Sequence, residues 1–439
     1  MHNTREDIIR LVEENDVEFI RLQFTDIFGT TKNMAVTTSQ LEKVLDNRET
    51  FDGSVIEGFV GYEKSELKLV PDLDTFTIFP WRPQSGKVAR LICDVTNYDG
   101  TPYGVASRNI LKKVMKQAQD MGFFFDVSPE CEFYLFDRTE NDEPTTYTRE
   151  RGNYFDIGPT DEGENARRDM VMTLEDMGFE IKSSYHEASP AQHEIDFKED
   201  QALRTADNVM TFRMAVRTIA KRHGLHATFM PKPRADLCGS AMSINFTAYN
   251  QFGKNVFLDV NDKNGLSKDA YHFIAGILEH VNGLSAICNP IINSYKRLID
   301  GKYNPSLIGW STINSNAVVR IPVHAQKGSI IFKSPDSAAN PYLALAVIIA
   351  AGLDGVKRQL EPGKEIDKTI EQLADEKIVL DRIPRKLSDA LDAFIADELL
   401  VTILGKELTD VYVKAKMKEC KEYSEQVSQW EIERYLYRI

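Results

Sequence analysis

The spacing of apolar residues changes about a quarter of the way along the chain. Residues 5–15 place apolar side chains on one face of a short helix, and residues 17–24 and 88–95 are apolar runs typical of strands. Turn-forming residues, among them 70–74, separate these runs. The pattern predicts a small N-terminal α+β domain of residues 1–104.

Helical and strand-like segments alternate over the rest of the chain. A helix capped by Ser107 comes first, and residues 123–126 and 132–136 follow as two strand-like runs. The apolar run 342–353 is too short to span a bilayer and predicts a buried helix. We therefore expect a larger second α/β domain of residues 105–439.

The composition is that of a globular protein. Of the 439 residues 42% are hydrophobic and 27% are charged, and the net charge is −14. No block of basic residues stands out, so we expect neither a nucleic-acid partner nor an anionic membrane surface. The five cysteines are scattered without a C-x-x-C pair, which is typical of reduced thiols, and we expect a cytoplasmic protein.

Four glutamates form the first chemical pattern. Glu130 and Glu132 lie two residues apart in a strand-like run, so their carboxylates face the same side. Glu187 and Glu194 flank a turn that contains proline. Adjacent carboxylates repel each other unless a cation lies between them, and Mg²⁺ or Mn²⁺ suits oxygen ligands. The pattern indicates a divalent-cation site, and the alternative is a set of solvated surface acids.

Two histidines lie beside the second pair of glutamates. They are His186 and His193, each directly before a glutamate. An imidazole with an ordinary hydrogen-bond partner is more common in proteins than one that binds a metal ion. We therefore place both histidines outside the metal site.

These segments resemble the metal-binding strands of type I glutamine synthetase. The family patterns are roughly Gly-Pro-Glu-x-Glu-Phe and Glu-Val-Ala-Pro-Gly-Gln-x-Glu, and the segments that begin at Ser128 and Glu187 match them. Further ordered matches extend over nearly the whole chain: Phe51-Asp-Gly-Ser, Tyr154-Phe-Asp, Ala227-Thr-Phe-Met-Pro-Lys-Pro, Asn293-Ser-Tyr-Lys-Arg-Leu, Val319-Arg-Ile-Pro and Ser334-Pro-Asp-Ser-Ala-Ala-Asn-Pro-Tyr-Leu. So many matches are specific to the family, although a fold does not by itself fix a function.

The resemblance implies a fold, a reaction and an assembly. The fold is α+β, with a small β-grasp-like N-terminal domain and a large glutamine-synthetase-type catalytic α/β domain. The reaction uses ATP and two divalent cations, Mg²⁺ or Mn²⁺, to join the small molecules glutamate and ammonia into glutamine. The assembly is a homo-oligomer, a dodecamer of two stacked hexamers, in which a neighbouring subunit contributes Asp52 to each site.

The resemblance also assigns roles to single residues. The residues matched to catalytic positions are Asp52, Arg297 and Arg320. The residues matched to nucleotide-binding positions are Asn245, Thr247 and Lys333. The residues matched to the first cation are Glu132, Glu187 and Glu194, and Glu130 is matched to the second.

The chain departs from the family where the second cation and the phosphate groups bind. Ser243 stands where the family has a histidine ligand, and Ile331 stands where it has a glutamate ligand. A serine hydroxyl is a weak ligand for a divalent cation, and an isoleucine side chain is none. The other substituted positions are Cys238 in the substrate-binding segment, Tyr303 in place of the flap glutamate, and Ser315 and Ser329 in place of arginines.

Two functions are compatible with these departures. In the first, the chain is a degenerate homologue that has lost most glutamine synthesis and still binds a nucleotide and a metal ion. In the second, it is an active, divergent ATP-dependent ligase of carboxylates and amines. The second requires compensation by other charged residues, and the candidates are Lys327, Lys333, Asp236 and Asp300. The lost ligands of the second cation favour the first function.

Overall fold

A computed structural model describes residues 2–59, 65–82, 85–299, 304–322 and 328–439 of the chain. Within these ranges it contains α-helices, short 3₁₀ turns and two β-sheets. Three residues considered above lie outside the described residues: Asp300, Tyr303 and Lys327.

The helices lie mostly in the second half of the chain. Their bounds are α1 Arg5–Glu14, α2 Leu41–Leu45, α3 Ser107–Asp120, α4 Glu164–Asp176, α5 Ala202–Arg222, α6 Lys268–Cys288, α7 Ile292–Arg297, α8 Pro341–Arg358, α9 Ile370–Asp375, α10 Leu387–Ala396, α11 Glu398–Leu404, α12 Lys406–Ser424 and α13 Gln429–Tyr435. The 3₁₀ turns are Thr38–Gln40 and Gly53–Val55.

The strands fall into two groups along the chain. Their bounds are β1 Val17–Thr25, β2 Thr31–Thr37, β3 Glu49–Asp52, β4 Glu66–Ile78, β5 Lys87–Asn97, β6 Phe124–Asp137, β7 Ile181–His186, β8 Gln192–Phe197, β9 Asp200–Gln201, β10 Leu225–Thr228, β11 Met242–Tyr249, β12 Leu307–Ser311, β13 Ala317–Arg320 and β14 Ile330–Phe332.

The first five strands form one sheet, in the order β2-β1-β5-β4-β3. The central strands β1 and β5 are parallel, and the other neighbours are antiparallel. The predicted turn at 70–74 is wrong in part, because Val70 and Pro71 pair with β5 inside strand β4. The ladder is irregular only after Asp72, where the pairing shifts before it resumes at Thr77.

The remaining strands form a nine-stranded sheet with β6 near its centre. Two separate strands were predicted here, but β6 is a single strand that continues through Pro129. Pro129 lacks a backbone N–H and normally interrupts a central strand. On one side, however, the partner of β6 changes here from β9, which pairs at Asp126 and Val127, to β8, which pairs from Glu130 onward. The missing donor therefore falls where the ladder has a gap.

The largest helix contact in the core is between α6 and α8. The sequence 342–353 was predicted as a buried helix, and it lies in α8, most of whose side chains are inaccessible to solvent. The two helices meet at Gly276 and Gly355, because a Cβ atom added to either glycine would collide with backbone atoms of the opposite helix. Only glycine allows the helix axes to approach so closely.

A buried arginine joins the first sheet to helix α5. Arg108 of α3 lies 2.7 Å from Asp72 of β4, 2.5 Å from Asp94 of β5 and 2.9 Å from Asp207 of α5. Its neighbour Ser107 was predicted as an N-cap, but the capping position is Ala106 and Ser107 is the first residue of the helix. The Ser107 hydroxyl donates instead to the carbonyl oxygen of Thr25, 3.4 Å away, because it is buried against β1.

All five cysteines are free, and Cys93, Cys131 and Cys288 are buried. Among the described residues no helix has both the length and the apolar character needed to cross a lipid bilayer.

We expect one buried histidine to make the stability of the fold depend on pH. His280 of α6 contacts Asp397 at 2.7 Å and Asp354 at 3.2 Å. Burial opposes its charged form, but these two carboxylates together raise the pKa of His280 above its ordinary value of 6.5. Its stabilising contribution is therefore complete below about pH 6.5 and is lost as the pH rises through the raised value.

The test is urea unfolding of a His280→Asn variant at pH 6 and at pH 9. We expect the free energy of unfolding to fall by about 2 kcal/mol at pH 6 and by clearly less at pH 9. His272→Asn is the matched control, because His272 lies on the same helix and contacts the carbonyl oxygen of Leu360 rather than a carboxylate. Equal losses at both pH values in the His280 variant would contradict the prediction.

Candidate active site

Three carboxylates meet where β6 and β8 pair. Glu132 of β6 lies directly opposite Glu194 of β8, and Glu187 follows the end of β7. One ligand oxygen from each of the three lies within 4.8 Å of the other two. This spacing fits a single divalent cation with water molecules in its remaining positions. Of the residues matched to the first cation, the structure therefore brings all three together.

The low polarity around these carboxylates shifts their ionisation. Burial raises the pKa of Glu132, and the charge of Glu187 adds to the shift. Burial also raises the pKa of Glu194, and the charges of Glu132 and Asp196 act in the same direction. Buried acids with such strong mutual repulsion require a counter-cation if they are to be charged together at neutral pH.

Neighbouring side chains hold the three carboxylates in position. The Gln192 amide donates to Glu132 at 3.1 Å, and the Tyr185 hydroxyl donates to Glu194 at 2.6 Å. The backbone N–H of Ala241 donates to the same Glu132 oxygen at 3.0 Å. Such partners orient the ligands of a metal ion before it binds.

The position matched to the second cation has a different character. Glu130 is paired across the sheet with Ser243 of β11, and Ile331 of β14 is paired with Asn245, the next residue on the same face of β11. The three matched positions therefore present one carboxylate, one hydroxyl and one aliphatic side chain. They do not by themselves reproduce a ligand set for a second divalent cation.

An additional carboxylate on this face was missed in the sequence. Asp196 lies two residues after Glu194 and is paired across the sheet with Glu130. Its Oδ2 accepts from the Ser183 hydroxyl at 2.7 Å, and burial together with Asp196 raises the pKa of Glu130 to about 6. The alternation of Glu194 and Asp196 along one strand was a visible signal that they share a face.

A lysine lies beside these acids. The Nζ of Lys333 donates to the carbonyl oxygen of Ser315 at 2.7 Å. Burial, reinforced by the charge of Arg320, lowers the pKa of Lys333 to about 8, and Glu132 opposes this shift. Arg320 itself is exposed at the end of β13, where it pairs with Ile331. Ser329 is buried just before β14.

The carboxylates open into a cavity of about 670 Å³. Its walls include Glu132, Glu187, Ser243, Lys333 and Arg297. The Nη2 of Arg297 donates to the backbone oxygen of the buried loop after β14, while its Nε has no hydrogen-bond partner. A cavity with convergent charged groups is the common form of a small-molecule site.

Two residues that the sequence analysis singled out lie on the rim of this cavity: one at a substituted family position and one candidate replacement ligand. Cys238 is an exposed thiol whose backbone N–H donates to the Ser189 hydroxyl at 2.8 Å. Asp236, considered above as a replacement metal ligand, instead pairs with Arg234 at 2.5 Å. The arginine holds this carboxylate at the rim, so we do not include Asp236 among the ligands.

The residues matched to nucleotide positions continue along β11. Asn245 and Thr247 follow Ser243 on the same face of the strand. The hydroxyls of Thr247 and Tyr249 donate to Glu199 at 3.2 Å and 3.4 Å, so Glu199 is a further acid that the sequence did not reveal. No sequence signal links it to β11, because its partners lie about fifty residues away.

Asp52 does not lie at this cavity. It ends strand β3 in the first sheet, where it is exposed and accepts from the backbone N–H of Ser54 at 2.9 Å. It borders a separate surface groove of about 490 Å³ that also includes Lys32 and Phe51. Its contribution to a neighbouring subunit therefore stays a prediction.

The two histidines take part in a buried network of ion pairs. His186 contacts Glu150 at 2.7 Å, and Arg167 lies 2.8 Å from both Asp161 and His193. Ligand atoms of Asp161 and the two histidines come within 4.8 Å of one another, as in a metal site. However, the guanidinium of Arg167 already neutralises Asp161, so an added cation would meet a positive charge. We keep both histidines outside the metal site.

Comparisons with protein families cover nearly the whole chain. Residues 16–98 match the family model described as glutamine synthetase, beta-Grasp domain. Residues 104–435 match the model described as glutamine synthetase, catalytic domain. These matches confirm the predicted fold class, α+β with a β-grasp N-terminal domain and a large catalytic domain.

Individual proteins are similar to this chain over nearly their full length. A glutamine synthetase of Clostridium saccharobutylicum is 50% identical over 437 residues, which cover 99% of this chain and 98% of that protein. One of Staphylococcus aureus (strain Mu50) is 47% identical over 439 residues, with the same coverage.

Solved structures are similar as well. A structure described as a GmaS/ADP complex superimposes with a TM-score of 0.90 at 29% identity and covers 99% of this chain and 100% of its own. The glutamine synthetase of Plasmodium falciparum, solved by cryo-electron microscopy, has a TM-score of 0.88 at 24% identity and covers 99% of both chains. At that identity the second similarity concerns the fold alone.

Proposed function

The chain belongs to the glutamine synthetase family, and we propose that it is a divergent member in which glutamine formation is lost or strongly reduced. In this proposal the cavity still binds a nucleotide and one divalent cation, Mg²⁺ or Mn²⁺. The observation that carries the proposal concerns the three positions matched to the second cation: Glu130 offers a strong ligand there, whereas Ser243 and Ile331 do not.

The family reaction joins glutamate and ammonia with the hydrolysis of ATP, and phosphoryl transfer depends on neutralised phosphate charge. A cation held by Glu132, Glu187 and Glu194 would supply part of that neutralisation. In this chain Arg297, Arg320 and Lys333 are the described cationic side chains matched to family positions. Arg297 is partly engaged by backbone oxygens, and Lys333 is engaged by Ser315. These contacts leave both side chains fewer hydrogen-bond donors for the transferred phosphoryl group, which supports slow chemistry.

The alternative is an active, divergent ATP-dependent ligase that forms glutamine or another amide from a carboxylate and an amine. The identity of 47–50% with curated glutamine synthetases over the full length favours this second function. A coupled assay of ADP release with Mg²⁺ or Mn²⁺ and a panel of amines and amino acids separates the two functions. Release of ADP that requires one particular amine would favour the ligase.

We propose that this chain assembles as other members of its family do. Glutamine synthetases are homo-oligomers, and we expect a dodecamer of two stacked hexamers in which Asp52 approaches the cavity of a neighbouring subunit. Within each subunit we place the boundary between the domains at residues 104 and 105. Light scattering that finds a monomer at micromolar concentration would exclude the assembly.

We expect the single cation site to depend on each of its carboxylates. Replacing Glu187 by glutamine removes a charged ligand while preserving the shape of the side chain, so Mn²⁺ affinity should fall by about 100-fold or more. The measurement is a calorimetric Mn²⁺ titration. Glu180→Gln is the control, since Glu180 is exposed and pairs with Lys198 away from the cavity. An unchanged affinity in Glu187→Gln would place the cation elsewhere.

A further inference from the structure

A lysine directly follows strand β14, near the position from which a metal ligand is missing. It is Lys333, two residues after Ile331. The backbone N–H of Lys333 donates to the carbonyl oxygen of Val318 at 2.9 Å, and its Nζ donates to the carbonyl oxygen of Ser315 at 2.7 Å. The side chain is thus fixed at both ends, and it borders the cavity together with Glu132 and Ser243.

The charges on this face require more than one cation. It carries five carboxylates: Glu130, Glu132, Glu187, Glu194 and Asp196. A divalent cation among the three clustered glutamates leaves Glu130 and Asp196 without a counter-charge from the metal. Positive groups that act on Glu130 include Lys182, Lys333 and Arg320. Lys182 and Arg320 are exposed, whereas Lys333 is half-buried and tied to Ser315.

We infer that the Lys333 ammonium group takes over the electrostatic role of the second divalent cation. This inference rests on the proposed function, because it concerns the same cavity. The ammonium carries one charge and three hydrogen-bond donors, of which Ser315 uses one. The other donors are available to phosphate oxygens of a nucleoside diphosphate or triphosphate. The ligand class is therefore a nucleotide polyphosphate that binds with one divalent cation and one fixed ammonium group.

The test combines nucleotide binding with counting of metal ions. ADP is titrated into the full-length protein with and without Mg²⁺, and bound Mn²⁺ is counted by electron paramagnetic resonance. The variants are Lys333→Met, which keeps the length and removes the charge, and Lys333→Arg as the matched control. Lys333→Gln serves as a second neutral variant, and circular dichroism with size-exclusion chromatography verifies that each variant is folded.

The expected result has two parts. Without Mg²⁺, Lys333→Met should bind ADP about tenfold or more weakly than the parent, whereas Lys333→Arg should stay within about threefold. Bound Mn²⁺ should rise from one ion per subunit to more than one in Lys333→Met, because Glu130 and Asp196 lose their nearest half-buried cation.

Unchanged ADP affinity together with unchanged Mn²⁺ stoichiometry in the neutral variants would overturn the inference. Failure of the proposed function gives a different result, since the parent protein would then bind no ADP even with Mg²⁺. In that case the Mn²⁺ count alone decides the inference, and a count of one ion in both the parent and Lys333→Met overturns it.

Discussion

Purified protein supplied with ATP, Mg²⁺, glutamate and ammonium should form glutamine far more slowly than about 1 s⁻¹, a modest rate for an enzyme. The loss of one preorganised charge stabiliser typically lowers a rate by about 10²–10³. Here Ser243 and Ile331 stand at the positions matched to two ligands of the second cation, and Ser315 stands at a position matched to an arginine. Such effects do not add independently, but their combination raises the barrier by several kcal/mol. Quantification of glutamine after long incubation checks the prediction.

Restoration of the missing ligands provides the counterpart experiment. We expect the double variant Ser243→His and Ile331→Glu to bind a second Mn²⁺ ion per subunit, because it supplies an imidazole and a carboxylate beside Glu130. Recovery of glutamine synthesis should need Ser315→Arg and Tyr303→Glu in addition. If the unmodified protein makes glutamine at about 1 s⁻¹ or faster, the proposed loss of activity is wrong.

Substitution of Gly276 by valine should prevent the chain from folding. A Cβ atom at this position would collide with the backbone of α8 at Ala351 and Gly355, and neither backbone segment can rotate away. Overpacking a core commonly costs about 1–3 kcal/mol, and a clash of two helix backbones exceeds that range. Since domains are typically stable by about 5–15 kcal/mol, we expect little or no soluble protein.

Gly104→Ala is the matched control for this substitution. No heavy atom lies within 4 Å of an added Cβ at Gly104. Its yield and its melting temperature should equal those of the parent within experimental error. Normal expression and an unchanged melting temperature in Gly276→Val would show that α6 and α8 can move apart, contrary to the close contact described above.

The sequence correctly predicted features that depend on the spacing of apolar residues within one segment. The amphipathic spacing of residues 5–15 and the apolar run of α8 predicted helices that the structure contains. The clustering of Glu132, Glu187 and Glu194 was expected from the resemblance to the family, and the structure brings the three together. The helices required only residues near each other in the chain, whereas the carboxylate cluster joins segments that are distant in the chain.

Features that depend on distant partners could not be predicted. The apolar runs 123–126 and 132–136 suggested two strands, and only the change of partner from β9 to β8 explains why β6 continues through Pro129. The anchoring of Lys333 by Ser315 depends on how the loop between β12 and β13 folds over β14. Likewise, Glu199 reaches Thr247 only through the packing of two segments about fifty residues apart.

The central place of β6 has a consequence for the nascent chain. Its partner β11 begins at Met242, roughly 105 residues after β6 ends at Asp137. At about 5–20 residues per second, ribosomal synthesis leaves one long edge of β6 without its partner for about 5–20 s. An unpaired edge of this length is a site for intermolecular strand pairing. We therefore expect the yield of soluble protein to increase when chaperones that shield exposed strand edges are co-expressed.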